Sequence, residues 1–225
     1  MRFFSILFLM TVSINTHSFE EGSVYNNDIE IIYRDYGPKN GDPILLVQGL
    51  GGQLINWPDH LLEFLIENNF RPIVFDNRDS GLSSRFDTEL FEEKNRSKTI
   101  NSTYIKYFLR LPINPPYNLD DMANDSILIL DELNITKAHL LGMSMGGMIA
   151  QIIAANHPDR IKTFTLIASS TSAPSPFNGP TRDVRKLLMK RSNNPNSTVD
   201  ERIDRSKKIF SLIGIRKKRK FQNMT

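Results

Sequence analysis

The sequence predicts an α/β fold, in which a mostly parallel sheet carries helices on both of its faces. Short apolar runs alternate along the chain with stretches of helical spacing. The apolar runs are continuous, as expected of strands that are covered on both sides. Glycine-rich segments directly follow two of these runs. Because ligand chemistry in such sheets lies at the carboxyl ends of the strands, we expect a functional site where these segments meet.

The predicted elements follow in order. A first strand, residues 29–36, ends at Gly37-Pro38, which is a turn-forming pair. Leucines at helical spacing predict the first helix, and acidic residues in the first turn favour the second. The remaining predicted strands cover residues 44–47, 72–75, 138–142 and 163–168, and the helices cover residues 58–68, 119–133 and 145–156.

The most informative motif is G-M-S-M-G at residues 142–146, with a further glycine after it. A predicted strand leads into this G-x-S-x-G and a predicted helix leads out, which is the context of a nucleophile elbow. A serine hydroxyl becomes a useful nucleophile when a sharp turn holds it beside a base and backbone N–H donors. The motif therefore predicts Ser144 as an acyl nucleophile. A glycine-rich turn without chemistry is the alternative.

Composition limits the other possibilities. The chain of 225 residues has 40% hydrophobic residues and no cysteine, which excludes disulfides, thiolate metal sites and cysteine nucleophiles. The formal net charge is +3, but residues 216–220 alone contribute five positive charges. The excess positive charge therefore lies in the tail, and we expect no nucleic-acid binding by the rest of the chain.

The amino terminus resembles an export signal. Residues 1–18 contain one arginine, an apolar segment and a polar end with small residues. The apolar segment is too short to cross a bilayer comfortably, so we expect no stable membrane span in the mature chain. A cleaved signal predicts a periplasmic or secreted protein, and an uncleaved anchor is the alternative.

Four sequence blocks resemble the α/β-hydrolase fold family in order and spacing. They are residues 48–52 (QGLGG) with Trp57, residues 76–83 (DNRDSGLS), residues 117–123 (YNLDDMA), and residues 142–147 (GMSMGG). More narrowly, the chain resembles the esterase branch that includes aclacinomycin methylesterase-like proteins. The resemblance implies hydrolysis of a small carboxylic ester without a cofactor or metal.

The resemblance also implies roles for single residues. Ser144 would be the nucleophile, and the backbone N–H groups of Leu50 and Met145 would form the oxyanion hole. Gln48 stands where the family usually has histidine, and we expect its amide to brace the loop. Asp76 and Arg78 are expected to brace their own loop rather than to act in catalysis. The elbow and loop glycines are Gly49, Gly142 and Gly146.

A base for Ser144 is missing from the sequence. In this fold the acid and the histidine follow the serine along the chain. His139 lies five residues before Ser144 on a strand, which puts it on the order of 16 Å away. His157 lies at the far end of the following helix, and His60 is a weak candidate on another helix. The sequence identifies neither the acid nor the histidine.

These observations lead to a domain hypothesis. We expect a signal peptide at residues 1–18, the first part of the hydrolase core at residues 24–168, the start of a helical cap at residues 169–214 and a basic tail at residues 215–225. The last strands of the sheet are absent, so the chain reads as a C-terminally truncated hydrolase. An inactive remnant that binds a ligand or a partner is the alternative, since an open sheet edge favours association.

Overall fold

The computed structural model describes residues 18–86 and 111–170, together with positions 102–103, 105–106, 109, 198, 201, 204 and 207. The chain divides into two compact units, Met1–Thr171 and Ser172–Thr225. The predicted signal peptide (apart from Ser18) and the basic tail lie outside the described residues, as does most of the predicted cap. No helix in the described part is long and apolar enough to cross a membrane.

The first unit contains one six-stranded sheet. Its strands, in chain order, are β1 (Phe19–Asn26), β2 (Ile29–Tyr36), β3 (Asp42–Val47), β4 (Phe70–Phe75), β5 (Ala138–Met143) and β6 (Ile161–Ile167). They are arranged as β1-β2-β4-β3-β5-β6. The pairs β4–β3, β3–β5 and β5–β6 are parallel, whereas β2 is antiparallel to both of its neighbours. The predicted, mostly parallel sheet is confirmed.

Three α-helices that lie wholly within the described ranges 18–86 and 111–170 cover the sheet. They are α1 (Asp59–Glu67), α2 (Leu119–Glu132) and α3 (Met145–Asn156), and short 3-10 helices span Leu54–Asn56 and Pro158–Arg160. The side chain of Asn118 caps α2 by accepting from the N–H groups of Asp120 and Asp121. This cap satisfies donors that the helix leaves unpaired and explains why α2 begins where the sequence predicted.

The core lies on both faces of the sheet because adjacent residues of each strand point in opposite directions. In β3, Leu45 and Val47 belong to the cluster that also contains residues of α2 and α3. Ile44 and Leu46 belong to the second cluster, which contains residues of α1. All four are buried, and each contributes about 1.5–3 kcal/mol of burial free energy. Helices on both faces are therefore confirmed.

Strand β1 was not predicted, and it begins at Phe19, before the predicted start of the core at residue 24. It pairs along its whole length with β2, from Phe19 opposite Tyr36 to Asn26 opposite Ile29. Asn27 at the hairpin turn has a φ of 56°, which asparagine tolerates better than most residues. The strand carries two glutamates and a glycine and lies at the sheet edge, so it lacks the apolar alternation that reveals a strand.

A buried ion pair joins the antiparallel strands. Arg71 donates from its NH2 group to Asp35 Oδ2 at 2.7 Å, and both side chains are nearly inaccessible. Burial opposes ionisation of Asp35, but hydrogen bonds from Arg71 and Lys39 outweigh it and lower the pKa of the carboxyl. The pair ties β2 to β4 beside the parallel part of the sheet.

The second unit is described at only a few positions. Glu201, Asp204 and Lys207 are helical. Thr198 N–H donates to Glu201 Oε2 at 3.0 Å, and Glu201 N–H donates to Thr198 Oγ1 at 3.2 Å. This reciprocal pair is a capping box, which marks the start of a helix.

Candidate active site

Ser144 occupies the turn between β5 and α3 in a strained backbone conformation. Its φ is 55° and its ψ is −119°. A residue with a side chain pays on the order of 1–3 kcal/mol for such a conformation, so the surrounding contacts must hold it. Ser144 N–H donates to the Ile167 carbonyl at 2.9 Å, and its own carbonyl accepts from Gly147 N–H at 3.0 Å. Ser169 Oγ donates to the same carbonyl at 2.8 Å.

The hydroxyl of Ser144 is presented outward rather than used in the fold. Ser144 is the N-cap residue of α3, a position at which a serine usually bonds to the first turn, yet here it makes no side-chain cap. The residue is exposed, and its Oγ has no hydrogen-bond partner within the described part of the chain. A strained turn with a free hydroxyl is the geometry of a nucleophile elbow.

The elbow glycines are required by close packing. A methyl group at Gly142 would lie 2.5 Å from the Gly146 carbonyl oxygen and 2.6 Å from the α-carbon of Gly147. At Gly146 it would collide with the carbonyl of Val47 at the end of β3. Strand β5, helix α3 and strand β3 therefore approach one another at a distance that excludes any side chain at these positions.

The loop after β3 lies against the elbow. A methyl group at Gly49 would be 3.0 Å from Ser144 Cβ and 3.1 Å from the Met143 carbonyl oxygen. Leu50 follows with its side chain 86% exposed, and its N–H makes no hydrogen bond among the described residues. Met145 begins α3, so its N–H is one of the donors that a helix leaves unpaired. The N–H of Met145 therefore follows the serine directly in the chain, and the N–H of Leu50 comes one residue after Gly49, which packs on the serine.

Gln48 holds this loop differently from the expectation. Its carbonyl accepts from the side-chain Nδ2 of Asn77 at 3.1 Å, and its side chain packs against Gly52. The residue is 1% exposed, but its Nε2 has no partner in the described structure. The donor group of the amide therefore adds no bracing bond to the described residues, and Gln48 contacts the loops there through its backbone carbonyl and its packing on Gly52.

Asn77 is a residue that sequence reasoning missed. It follows β4 and is 3% exposed, and its amide joins the β4 loop to the β3 loop beside Ser144. Its Oδ1 and the Nε1 of Trp57 also lack partners among the described residues. A polar residue directly after a buried strand was the available signal, since such a residue sits at the functional edge of the sheet.

Asp76 braces its own loop, as the sequence analysis expected. Its Oδ1 accepts from the N–H of Leu54 at 2.7 Å, and its Oδ2 accepts from the N–H of Leu82 at 2.9 Å. The side chain is 2% exposed and packs closely on Gly81. Both carboxylate oxygens therefore accept from backbone donors of the neighbouring loops.

Arg78 forms a buried pair with Asp125 of α2. The NH2 group donates to Oδ1 at 2.6 Å and Nε donates to Oδ2 at 2.8 Å. Asn26 of β1 adds a third bond to Oδ1 at 2.8 Å. Burial disfavours the charge on Arg78, but the bonds and charge of Asp125 outweigh it and raise the pKa of the guanidinium. Arg78 thus fastens the β4 loop to a helix, which agrees with the expected bracing role.

A ring contact extends this cluster. The guanidinium of Arg78 lies 5.1 Å from the centre of the Tyr117 ring, within cation–π range. The Tyr117 hydroxyl donates to Asp79 Oδ2 at 2.5 Å. Burial, together with this bond, raises the pKa of Tyr117. The hydroxyl therefore stays protonated at neutral pH and donates its hydrogen bond to Asp79 in the loop after β4.

The described histidines lie away from Ser144 Oγ. His139 contacts Thr163 Oγ1 through Nδ1 at 2.7 Å and Asp42 Oδ2 through Nε2 at 3.1 Å. Asp42 begins β3 and His139 is near the start of β5, so this cluster lies at the amino edge of the sheet, opposite the elbow. His60 is in the first turn of α1 and His157 follows the end of α3. No histidine or carboxylate contacts the serine hydroxyl in the described part of the chain.

The described part of the chain contains no group of three or more histidine, aspartate or glutamate side chains placed to hold a metal ion.

Comparison with known proteins places this geometry in context. The chain is 28% identical over 144 residues to rhodomycin D methylesterase of Streptomyces peucetius, covering 64% of this chain and 40% of that protein. It is 31% identical over 125 residues to the same enzyme of Streptomyces sp. (strain C5), covering 56% of this chain and 34% of that one. It is 25% identical over 146 residues to 3-oxoadipate enol-lactonase 2 of Acinetobacter baylyi, covering 65% and 43%.

A solved structure shows the same fold. The carboxylesterase crystal structure from the thaumarchaeon Nitrososphaera gargenis superposes with a TM-score of 0.54 at 22% identity, covering 76% of this chain and 51% of that chain. The chain spans less than half the length of the three curated relatives described above. The family model described as the alpha/beta hydrolase fold matches residues 42–206. The strained serine, the glycines around it and this match agree: the chain belongs to the alpha/beta hydrolase fold family.

Proposed function

We propose that this chain carries the nucleophile and oxyanion-binding part of a carboxylic ester hydrolase, with Ser144 as the acyl nucleophile. The single observation that supports this most strongly is the conformation of Ser144. A φ of 55° at a strand-to-helix turn costs free energy, and the hydroxyl is left free of any capping bond. Stored strain at an exposed hydroxyl has no structural benefit, whereas it serves attack on a carbonyl.

In the proposed reaction, Ser144 Oγ attacks the ester carbonyl carbon, and solvent water carries its proton to the alcohol that leaves. The carbonyl oxygen becomes an oxyanion, which the N–H groups of Leu50 and Met145 would stabilise. Loss of the alcohol leaves an acyl-serine, and water then releases the acid. Because the described residues place no imidazole at the hydroxyl, we expect slow turnover, at the level that a nucleophile and oxyanion donors sustain without a triad.

The relatives indicate the substrate class. Two are named as methylesterases and one as an enol-lactonase, so each acts on a carboxylic ester bond. We therefore propose a small-molecule carboxylic ester as the substrate of this chain. The apolar side chain of Leu50, 86% exposed on the loop beside Ser144, is suited to contact such a compound.

A second candidate is ligand binding without turnover. The observation that favours it is the position of His139, whose two ring nitrogens contact Thr163 and Asp42 at the opposite edge of the sheet. In this reading the surface around Ser144 binds an ester or acyl compound and the serine is never activated.

Labelling with a fluorophosphonate, followed by mass spectrometry, tests the proposal. We expect one adduct on Ser144 in the 225-residue chain and none in Ser144→Ala. Ser23→Ala is the matched control, because it removes a serine hydroxyl from β1 while the elbow is left intact. Slow hydrolysis of p-nitrophenyl acetate that Ser144→Ala abolishes would establish the enzyme. A folded protein that binds the ester but neither labels nor hydrolyses it would support the second candidate.

We also propose that the protein is exported and loses residues 1–18. The apolar segment after Arg2 and the polar residues before Phe19 support this. Expression with a C-terminal tag, cell fractionation and amino-terminal sequencing would test it. A start near Phe19 in the periplasmic or secreted fraction is expected, whereas an intact Met1 in the cytoplasm would contradict export.

A further inference from the structure

The residues that leave β6 turn back onto the elbow. Ser144 N–H donates to the Ile167 carbonyl at 2.9 Å, and Ser169 Oγ donates to the Ser144 carbonyl at 2.8 Å. Between these two contacts, Ala168 has a φ of 49°, which is uncommon for a residue with a side chain. The backbone therefore changes direction directly after β6, and the Ser169 hydroxyl reaches the carbonyl of the residue that precedes α3.

The position of Ser169 is fixed by close packing and by a second side chain. A methyl group at Gly147 would lie 2.5 Å from both Cβ and Oγ of Ser169, so the Ser169 side chain fills that space. Gln151 of α3 donates from its Nε2 to the Gly147 carbonyl at 3.0 Å and to the Ser170 carbonyl at 3.1 Å. The segment that carries the Ser169 hydroxyl is therefore held against the first turns of α3.

The bond from Ser169 acts on the peptide group between Ser144 and Met145. The carbonyl of Ser144 and the N–H of Met145 belong to one planar trans peptide, so they point in opposite directions. Ser169 Oγ at 2.8 Å and Gly147 N–H at 3.0 Å hold the carbonyl, and this fixes the direction of the N–H. A hydrogen bond to the carbonyl also polarises the peptide, which strengthens the N–H as a donor.

We propose that Ser169 is a positioning residue for the oxyanion donor at Met145. This inference rests on the proposed function, in which the N–H of Met145 stabilises the oxyanion that forms when Ser144 attacks. Ser169 acts through the Ser144 carbonyl and does not contact the reacting atoms. Because Gly147 N–H already donates to that carbonyl, the carbonyl has a partner without Ser169. The additional bond instead aligns and polarises the donor on the other side of the peptide.

The rate of acylation of Ser144 in the 225-residue chain tests this role. Ser169→Ala removes the hydroxyl and keeps Cβ. Acylation by p-nitrophenyl acetate should slow by about tenfold, which is less than the roughly hundredfold to thousandfold loss that follows removal of a whole oxyanion donor. Acylation by the thiono analogue should slow much less, because its C=S sulfur accepts hydrogen bonds weakly. A purely structural loss would slow both substrates by the same factor.

The matched control is Ser126→Ala. Ser126 Oγ also donates to a backbone carbonyl, that of Met122 at 3.2 Å, but within α2. This variant should leave both acylation rates unchanged. A second readout, which does not depend on activity, is the amide resonance of Met145 in protein labelled with ¹⁵N-methionine, identified by its loss in Met145→Leu. The resonance should shift in Ser169→Ala and stay in place in Ser126→Ala.

The outcomes separate this role from the proposed function. No slowing in Ser169→Ala, equal slowing with both substrates, or an unmoved Met145 resonance would each overturn the role of Ser169, while an adduct on Ser144 would still support the nucleophile. Absence of any Ser144 adduct in the unaltered chain would instead contradict the proposed function, and the positioning role would fail with it.

Discussion

The buried pair of Arg78 and Asp125 offers the sharpest test of how the site is held. Their side chains are 5% and 2% exposed, and two hydrogen bonds of 2.6 and 2.8 Å join them. Asp125→Asn keeps the shape but removes the negative charge, which leaves a guanidinium buried without a counter-ion. We expect the free energy of unfolding to fall by about 3–5 kcal/mol.

Replacing both partners separates the charge effect from packing. The double variant Arg78→Met with Asp125→Leu buries no charge. Its loss of unfolding free energy should therefore be clearly smaller than the sum of the losses measured for Arg78→Met and Asp125→Leu singly. The side-chain amide of Asn26 then lacks one acceptor, which limits the recovery by about 1 kcal/mol. Urea unfolding followed by circular dichroism measures each free energy.

The exposed pair of Arg34 and Glu21 is the matched control. Glu21 is 45% exposed, and Glu21→Gln should cost less than about 1 kcal/mol. A loss below about 1 kcal/mol for Asp125→Asn, or strictly additive losses in the double variant, would refute the reasoning that this pair is desolvated and fastens the β4 loop.

Two further predictions concern the elbow and the stability of the protein at acid pH. Gly142→Ala should destabilise the protein by about 1–3 kcal/mol in urea unfolding, because the methyl group would meet the carbonyl of Gly146 at 2.5 Å. A cost below about 0.5 kcal/mol would contradict the packing argument, since substitutions away from close packing usually cost no more than that. Since the folded pKa of Asp35 is lowered, its pair with Arg71 stabilises the protein at neutral pH, and this contribution is lost as the pH falls below about 4. Asp35→Asn should therefore have a lower free energy of unfolding at pH 7, and this free energy should fall less between pH 5 and pH 3 than in the unaltered protein. Parallel pH curves for the two proteins would be evidence against this.

Most of the fold was predictable because its signals are local. The continuous apolar runs of β3 and β4 need burial on both faces, and nothing but a covered sheet provides it. The start of α2 could be read from acidic residues in its first turn, and the structure adds the cap at Asn118. Strand β1 escaped prediction because an edge strand is stabilised by its hydrogen-bonded partner rather than by an apolar pattern.

The turn around Ser144 was predictable, but the contacts that hold the neighbouring loops were less so. The motif around Ser144 specifies a turn whose chemistry depends on a few neighbouring residues, so its strained conformation could be anticipated. The contacts of Asn77 and the pairing of Arg78 with Asp125 join segments far apart in the chain. No local pattern encodes such contacts. This explains why Asn77 was missed and why its bond to the Gln48 carbonyl could not be predicted.

By itself, the sequence determined the class of fold, the exposed serine at a strand-to-helix turn and the family. They follow from hydrophobic periodicity and from glycines at positions where close packing leaves no room for a side chain. Only the tertiary structure decided that His139 lies with Asp42 and Thr163 at the opposite edge of the sheet, and that Arg78 is buried in a pair with Asp125. The physical reason is that burial, desolvation and edge exposure are properties of segments brought together in space, and a residue's neighbours in the chain do not reveal them.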